Sequence, residues 1–267
     1  MKTVVITGSA RGFGLELAKR FFERNYNVVL SDIQSDTLNE AMRTLLNIKS
    51  DASVISVLCD VTNEDDLMNL CNKAVEKFKN IDIWINNAGV NQKMVPIWEV
   101  PSSDINRLID IDLKAVMLGS KIAVNQMKKQ GFGQIYGVEG YGSNDAMMTG
   151  LSVYGTSKRG VTYFLESLAK EVAEAKLPIL VGMLAPGIMI TDFITNSMGN
   201  EKFELPDKTK KVYNILGDKP DVISKYLVNK MVVNNKNGVR FTWLTNSKAA
   251  WRFITSPFNK RDFFKKN

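Results

Sequence analysis

Short apolar runs rich in β-branched residues and longer helical patterns take turns along most of the chain, and this alternation constrains the fold more than any other feature. TVVIT (3–7) precedes FGLELAKRFFERN, NVVLSD (27–32) precedes a helical pattern over 36–48, and SVISVLCD (53–60) precedes NEDDLMNLCNKAVEKFK. IDIWIN (81–86) then leads into a long pattern over about 103–129. GQIYGV (133–138), a helix over roughly 153–175, PILVGML (178–184) and a last strand near 239–244 complete the series. Parallel strands need crossover connections, and helices are the usual crossovers. The predicted fold is therefore α/β, a Rossmann-type doubly wound parallel sheet flanked by helices. A chain of 267 residues that is 45% hydrophobic can bury one sizeable core, so residues 1–267 read as a single domain. Residues 187–217 break the rhythm with apolar residues among Gly, Asn and Thr, as a substrate lid does.

The first strand-to-helix junction reads TGSARGFG (7–14). Gly8 allows the turn, Gly12 lets backbone approach a pyrophosphate and Gly14 permits close helix–strand packing, with phosphate at the helix N-terminus beside Arg11 and Phe13. This context predicts dinucleotide binding. Asp32 ends the second strand, where a carboxylate accepts from both ribose hydroxyls and repels a 2′-phosphate. Arg11 argues the other way, because a guanidinium there can clamp that phosphate unless a nearby carboxylate holds it. No basic residue follows Asp32 in SDIQSD, so NAD(H) is favoured, with NADP(H) the alternative.

Composition narrows the chemistry. The chain has no histidine, which excludes His-based triads, His metal sites and imidazole bases. No metal site is expected. Cys59 and Cys71 lack metal-ligand spacing and read as reduced, packed thiols. No run approaches the roughly 18 apolar residues that span a bilayer, and the first strand starts near Met1, so a cytoplasmic protein is expected. Acid and base work falls to Tyr, Lys, Asp, Glu or Cys. Tyr154 and Lys158 lie four apart in VYGTSKRG, on one helix face, where both can reach one ligand. Bringing a tyrosine pKa from near 10 to about 7 takes roughly 4 kcal/mol of phenolate stabilisation. Lys158 and a positive nicotinamide ring are the expected sources.

The ordered series TGSARGFG, CDV (59–61), NNAG (86–89), Tyr154/Lys158 and PGIMIT (186–191) resembles the short-chain dehydrogenase/reductase family across most of the chain. The resemblance implies that Asp60 and Val61 flank the adenine, that Asn87, Ala88 and Gly89 line the adenosine half, and that Pro186, Gly187, Ile188 and Thr191 form the nicotinamide end. It also implies hydride transfer between nicotinamide and a carbonyl/alcohol pair, with Tyr154 and Lys158 touching the cofactor, in a homodimer or homotetramer. Two family positions differ here. Thirteen and fourteen residues before Tyr154, where the family carries a serine, stand Tyr141 and Gly140, and the family's helix asparagine is Asp112. Ser143 is the nearest substitute hydroxyl. The stretch VEGYGS with VYGTSKRG and APGIMITD is similar to the chlorophyll(ide) b reductase branch, which implies reduction of a formyl group on a large flat macrocycle. That branch generally uses NADPH.

Met94, Val95, Pro96, Ile97, Trp98, Met147, Met148, Met189, Ile190, Phe193, Ile194, Met198 and Phe203 suit a bulky apolar carbonyl substrate. The alternative is a nucleotide-binding regulator that has lost turnover. Residues 230–267 carry nine Lys or Arg against one acid, and seven aromatics are interleaved with basic residues over 238–267. A nucleic-acid or anionic-membrane surface can be built this way, but the expectation is aromatics that pack and charges that face water, with no nucleic-acid partner.

Overall fold

The computed structural model describes residues 1–190, 207–259 and 261–264. Seven parallel strands form one sheet: β1 (Thr3–Thr7), β2 (Asn27–Asp32), β3 (Val54–Leu58), β4 (Ile83–Asn86), β5 (Gly133–Val138), β6 (Ile179–Ala185) and β7 (Val239–Thr242). Their order is β3-β2-β1-β4-β5-β6-β7, with β1 paired to both β2 and β4. The strand order reverses between β1 and β4, and that reversal opens a crevice beyond their carboxyl ends.

Helices cover both faces. They are α1 (Gly12–Phe22), α2 (Ser35–Leu46), α3 (Glu64–Phe78), α4 (Ser102–Ile109), α5 (Ala115–Gln130) and α6 (Ser152–Glu174), then α7 (Asp207–Leu216), α8 (Pro220–Val232) and α9 (Asn246–Thr255). β1 shows how the layers divide. Its alternation sends Val4 and Ile6 into the cluster with Leu17, Phe21, Leu227 and Met231, while Val5 packs on the other face with Leu67, Leu70 and Ile122.

Local chemistry sets several helix ends. Asn63 caps α3 by accepting from the Asp65 N–H at 2.9 Å, and Glu64, Asp65 and Asp66 meet the positive end of the helix dipole. Gly131 closes α5 in the left-handed region. Pro220 starts α8, where a missing N–H costs nothing, and this helix carries no counterpart in the sequence expectation.

One expected helix is interrupted. In place of a continuous helix over 103–129, a π-helical turn at Asp110–Lys114 joins α4 to α5. Such a turn re-aims the side chains it carries, and it leaves Asp112 fully buried.

Candidate active site

The crevice is built by backbone approach. At Gly14 an added Cβ would meet the Gly8 carbonyl oxygen at 2.3 Å, so helix and loop touch only because the residue is glycine. Gly12 has φ +57° and open space where a Cβ would stand, as a phosphate cradle requires. Phe13 is buried beneath it in the core. Asn87 ties the loop across the sheet by donating to the carbonyls of Thr7 and Gly8, both at 2.9 Å. The N–H groups of Asn87 and Ala88 both donate to Thr7 Oγ1.

At the adenosine end, Asp32 accepts from Ile33 N–H at 2.9 Å and Ala10 N–H at 3.3 Å. Those bonds fix its carboxylate and leave it acceptor capacity for ribose hydroxyls. Arg11 is exposed, and no ion pair holds it among the described residues. Val61 is buried, whereas Asp60 is exposed and accepts from both the N–H and the hydroxyl of Thr62. These residues fit a dinucleotide: open glycine space, helix N–H groups and a fixed carboxylate converge on one crevice.

At the crevice centre Lys158 and Asp112 form a buried ion pair, Nζ to Oδ2 at 3.2 Å. Asp112 also accepts from Val90 N–H at 2.7 Å. Lys158 lies over the Tyr154 ring, 5.5 Å from its centre, and Gly89 leaves room beside the pair. Burial pushes the Tyr154 hydroxyl up; Lys158 pulls it down, but Asp112 and Tyr213 push it up again. The net direction is upward, opposite to the lowering expected from Lys158, because burial outweighs the lysine and Asp112 offsets part of the lysine's charge. Burial disfavours the Lys158 ammonium, yet Asp112 and Tyr154 raise its pKa above the ordinary lysine value. For Asp112, burial outweighs Lys158 and the Val90 N–H, and its pKa is also raised.

The loop before Tyr154 explains the substituted serine position. A Cβ on Gly140 would stand 2.4 Å from the Tyr154 hydroxyl, so the phenol occupies the space a serine side chain would need. Gly142, at φ +98°, packs against Gly155, where a Cβ would meet its Cα at 2.7 Å. Tyr141 turns outward and donates to the Met147 carbonyl. Ser143, expected to reach the substrate oxygen, is buried and donates instead to the Lys158 carbonyl at 3.2 Å, while accepting from Gly140 N–H. Its single proton is committed to the loop, so its place in this structure is a brace. Glu139 is a second brace, accepting from Thr162 at 2.7 Å and pairing with Arg240 at 3.0 Å.

Sequence reasoning missed three further residues, two of them beside this centre. Gln92 is buried and accepts from Tyr154 N–H at 2.9 Å, holding the first turn of α6. Tyr213, on α7 within the expected lid, is close enough to raise the pKa of Tyr154 and packs its ring on Phe264. Asp218 joins the nicotinamide end to the C-terminus. Its backbone bonds to Ile188 and Ile190, and its buried carboxylate receives Arg252 (2.7 Å), Arg261 (3.1 Å) and the Trp243 indole (2.6 Å). None of the three stands in a recognisable motif; only their spatial neighbours mark them. After Pro186, Gly187 takes φ +72° against Leu244. Thr191, Phe193, Ile194, Met198 and Phe203 lie outside the described residues.

The expected substrate wall is assembled only in part. A Cβ on Gly150 would touch Met94 backbone, so the 147–150 and 94–95 segments abut. Trp98 and Met147 are largely exposed there. The seven aromatics of 238–267 divide: Trp243 packs on Tyr226, Phe241 on Tyr136, Phe264 on Tyr213 and Phe263 beneath Arg261, whereas Trp251, Phe253 and Phe258 face solvent, contrary to the expectation that the aromatics pack. Cys59 and Cys71 are free and buried, with burial pushing them up to about 12 and about 11.

Comparison with known proteins decides the family. The profile described as short chain dehydrogenase matches residues 2–202. The chain belongs to the short-chain dehydrogenase family. A probable chloroplastic chlorophyll(ide) b reductase of Arabidopsis thaliana is 29% identical over 279 residues, covering 98% of this chain and 54% of that protein. A chloroplastic chlorophyll(ide) b reductase of Oryza sativa is 31% identical, covering 94% of this chain and 74% of its own. This short-chain dehydrogenase thus spans about half the length of some curated relatives it matches. The NADH complex of a Brucella melitensis 3-ketoacyl-(acyl-carrier-protein) reductase superposes with a TM-score of 0.79 at 24% identity, covering 92% of this chain and 98% of its own. That likeness shows the shared fold. Among the described residues, no helix is long and apolar enough to cross a membrane and no cluster could hold a metal.

Proposed function

We propose that this short-chain dehydrogenase is a nicotinamide-dependent carbonyl reductase acting on a bulky apolar substrate, similar in chemistry to the chlorophyll(ide) b reductases. The observation that carries the reading is the buried Tyr154–Lys158–Asp112 centre facing the glycine crevice. A reduced nicotinamide, when bound in the crevice, would supply hydride to the carbonyl carbon. Tyr154 then delivers its hydroxyl proton to the carbonyl oxygen, giving the alcohol. The Tyr154 phenol carries its proton at neutral pH, as a general acid must, and burial raises its pKa further, so proton donation relies on Lys158 stabilising the phenolate. Lys158 holds positive charge beside the phenolate that forms, and Asp112 holds Lys158 in place.

The fixed Asp32 carboxylate supports NADH as the cofactor; a free Arg11 supports NADPH as the competitor. Relatives named chlorophyll(ide) b reductases align over nearly the whole chain, and the exposed Met147 and Trp98 offer a broad apolar wall, so a formyl group on a large flat ring system is the proposed substrate class.

A panel of carbonyl compounds including porphyrin-type aldehydes, run with NADH and NADPH in parallel, tests this. Turnover should be found with one of them, and Tyr154→Phe should lower it by at least about 10²-fold while cofactor affinity is kept. Calorimetric titration should show NADH binding more tightly; NADPH binding tenfold tighter would transfer the decision to Arg11. The competing reading, a nucleotide-binding regulator, draws on the commitment of Ser143 to the loop. It predicts cofactor binding with no turnover across the panel.

A further inference from the structure

The loop before Tyr154 offers no second hydroxyl to a substrate oxygen. The Tyr154 phenol fills the space that a side chain at Gly140 would need, Ser143 commits its proton to the Lys158 carbonyl, and Tyr141 donates to the Met147 carbonyl. One hydroxyl near the centre is free. Tyr213, half-buried in the last turn of α7, makes no side-chain hydrogen bond among the described residues. The polar end of a tyrosine usually finds a partner when burial takes it from water, so a fixed, half-buried phenol without one is a donor open to a ligand.

Long-range bonds set where that phenol stands. The Tyr213 carbonyl accepts from Gly217 N–H at 2.8 Å, and Gly217 abuts Ile190, whose Cδ1 an added Cβ would meet at 2.8 Å. Asp218 continues the junction: its N–H donates to the Ile188 carbonyl and its own carbonyl accepts from Ile190 N–H, both at 3.0 Å. Arg252 and Arg261 donate to the carbonyls of Leu216 (2.7 Å) and Gly217 (3.0 Å), groups that a helix end leaves without partners of its own. The ring of Tyr213 packs on Phe264, 6.4 Å between centres, and Asn214 accepts from Phe263 N–H at 2.9 Å. The end of α7 is thus fastened to the Ile188–Ile190 segment just beyond β6, where Tyr213 neighbours both Tyr154 and Tyr141. We propose that the Tyr213 hydroxyl is the second hydrogen-bond donor to the substrate oxygen, supplied from α7 in place of the family's serine. This role rests on the carbonyl-reductase reading above. As hydride reaches carbon, negative charge grows on oxygen; Tyr154 gives that oxygen its proton and is left as phenolate beside Lys158, while Tyr213 gives it a hydrogen bond and keeps its own proton. A donor fixed before the charge develops needs no reorganisation when it does.

Tyr213→Phe tests this in the full chain, since it keeps the ring on Phe264 and deletes a hydroxyl that no described residue uses. With an aromatic aldehyde that the wild type reduces, the variant should lose about 10²-fold in kcat, with melting temperature and NADH affinity unchanged. A second measurement needs no turnover. Calorimetric titration of the NADH-loaded protein with 2-naphthamide, an aromatic carbonyl that resists hydride, should show binding at least about tenfold weaker in the variant. Unchanged turnover in Tyr213→Phe overturns the proposal and leaves carbonyl reduction standing. So does a fall in melting temperature, which would show the hydroxyl bonded within the fold. A wild type that reduces no carbonyl, yet binds the amide more tightly than the variant does, overturns the reductase reading and keeps Tyr213 as the residue that binds the oxygen. A wild type that neither reduces a carbonyl nor binds the amide overturns both.

Discussion

Two buried carboxylates organise two regions of this molecule in different ways. Asp112, in the proposed catalytic centre, pairs with one cation, Lys158, and accepts from one backbone donor, with Arg107 a lesser influence. Asp218, at the junction of the Ile188–Ile190 segment and the C-terminal tail, receives two arginines and an indole N–H, with Lys248 nearby. The balanced pair leaves Lys158 charged but blunts its pull on Tyr154. The cation-rich cluster works as a knot: helix α9 and Arg261 are tied through one side chain to the backbone at Ile188 and Ile190. A buried carboxylate thus tunes chemistry where one partner meets it and joins chain segments where several do.

The knot should give way most. Asp218→Ala leaves two arginines without their shared carboxylate, and the loss of one member of a buried pair costs about 3–5 kcal/mol. Urea unfolding should show it, together with weaker NADH binding because residue 218, which holds the Ile188–Ile190 segment by its backbone, loses its own tie to α9 and Arg261. A loss below about 1 kcal/mol would break the distinction between the two carboxylates.

Asp112→Asn sharpens the other side. Asp112 raises Tyr154, so its removal lowers the Tyr154 pKa. Alcohol oxidation needs the phenolate, and its rising limb in kcat/KM against pH should move to lower pH. Arg107 and Tyr213 also face this group of charges and remain in the variant. An unmoved limb would show that Asp112 only positions Lys158.

Ser143→Ala is a smaller perturbation. It removes two neutral hydrogen bonds inside the loop, so stability should fall by about 1 kcal/mol and turnover by less than about tenfold. A loss of 10²-fold or more would restore Ser143 as the donor to the substrate oxygen.

The smallest effect belongs to Lys248, whose pKa burial, Arg252 and Arg261 push down to about 8. Between about pH 8 and the ordinary lysine value the unfolded chain holds the extra proton, so stability should rise with pH across that window. Lys248→Gln should flatten the rise in thermal melts taken across this range.

Legibility followed the range of the interactions. β1, β2 and β5 match the sequence expectation residue for residue, and α6 runs within a residue of it, because alternation and helical period are local. The glycine crevice was legible in part for the same reason: Gly8 and Gly12 take positive φ and Gly14 touches the Gly8 carbonyl, although Gly8 and Gly14 also abut Ala88 and Asn87 from the neighbouring strand end. The Lys158 carbonyl as the partner of Ser143 was not legible, since spacing from Tyr154 gives proximity along the chain but not where a hydroxyl proton goes. The long helix over 103–129 was read through its π turn, as one extra residue leaves almost no trace in an apolar pattern.

The sequence by itself determined the α/β alternation, the turn that shapes the dinucleotide crevice and the shared helix face of Tyr154 and Lys158, since neighbours in the chain impose each of these. Only the tertiary structure decided what those groups meet. Asp112 reaches Lys158 from another helix, and the Tyr154 hydroxyl fills the space beside Gly140. In α9 the periodicity marks two faces without saying which is buried. Asp218 draws Lys248, Arg252 and Arg261 inward because a buried carboxylate must find its cations, and the apolar face is left outside.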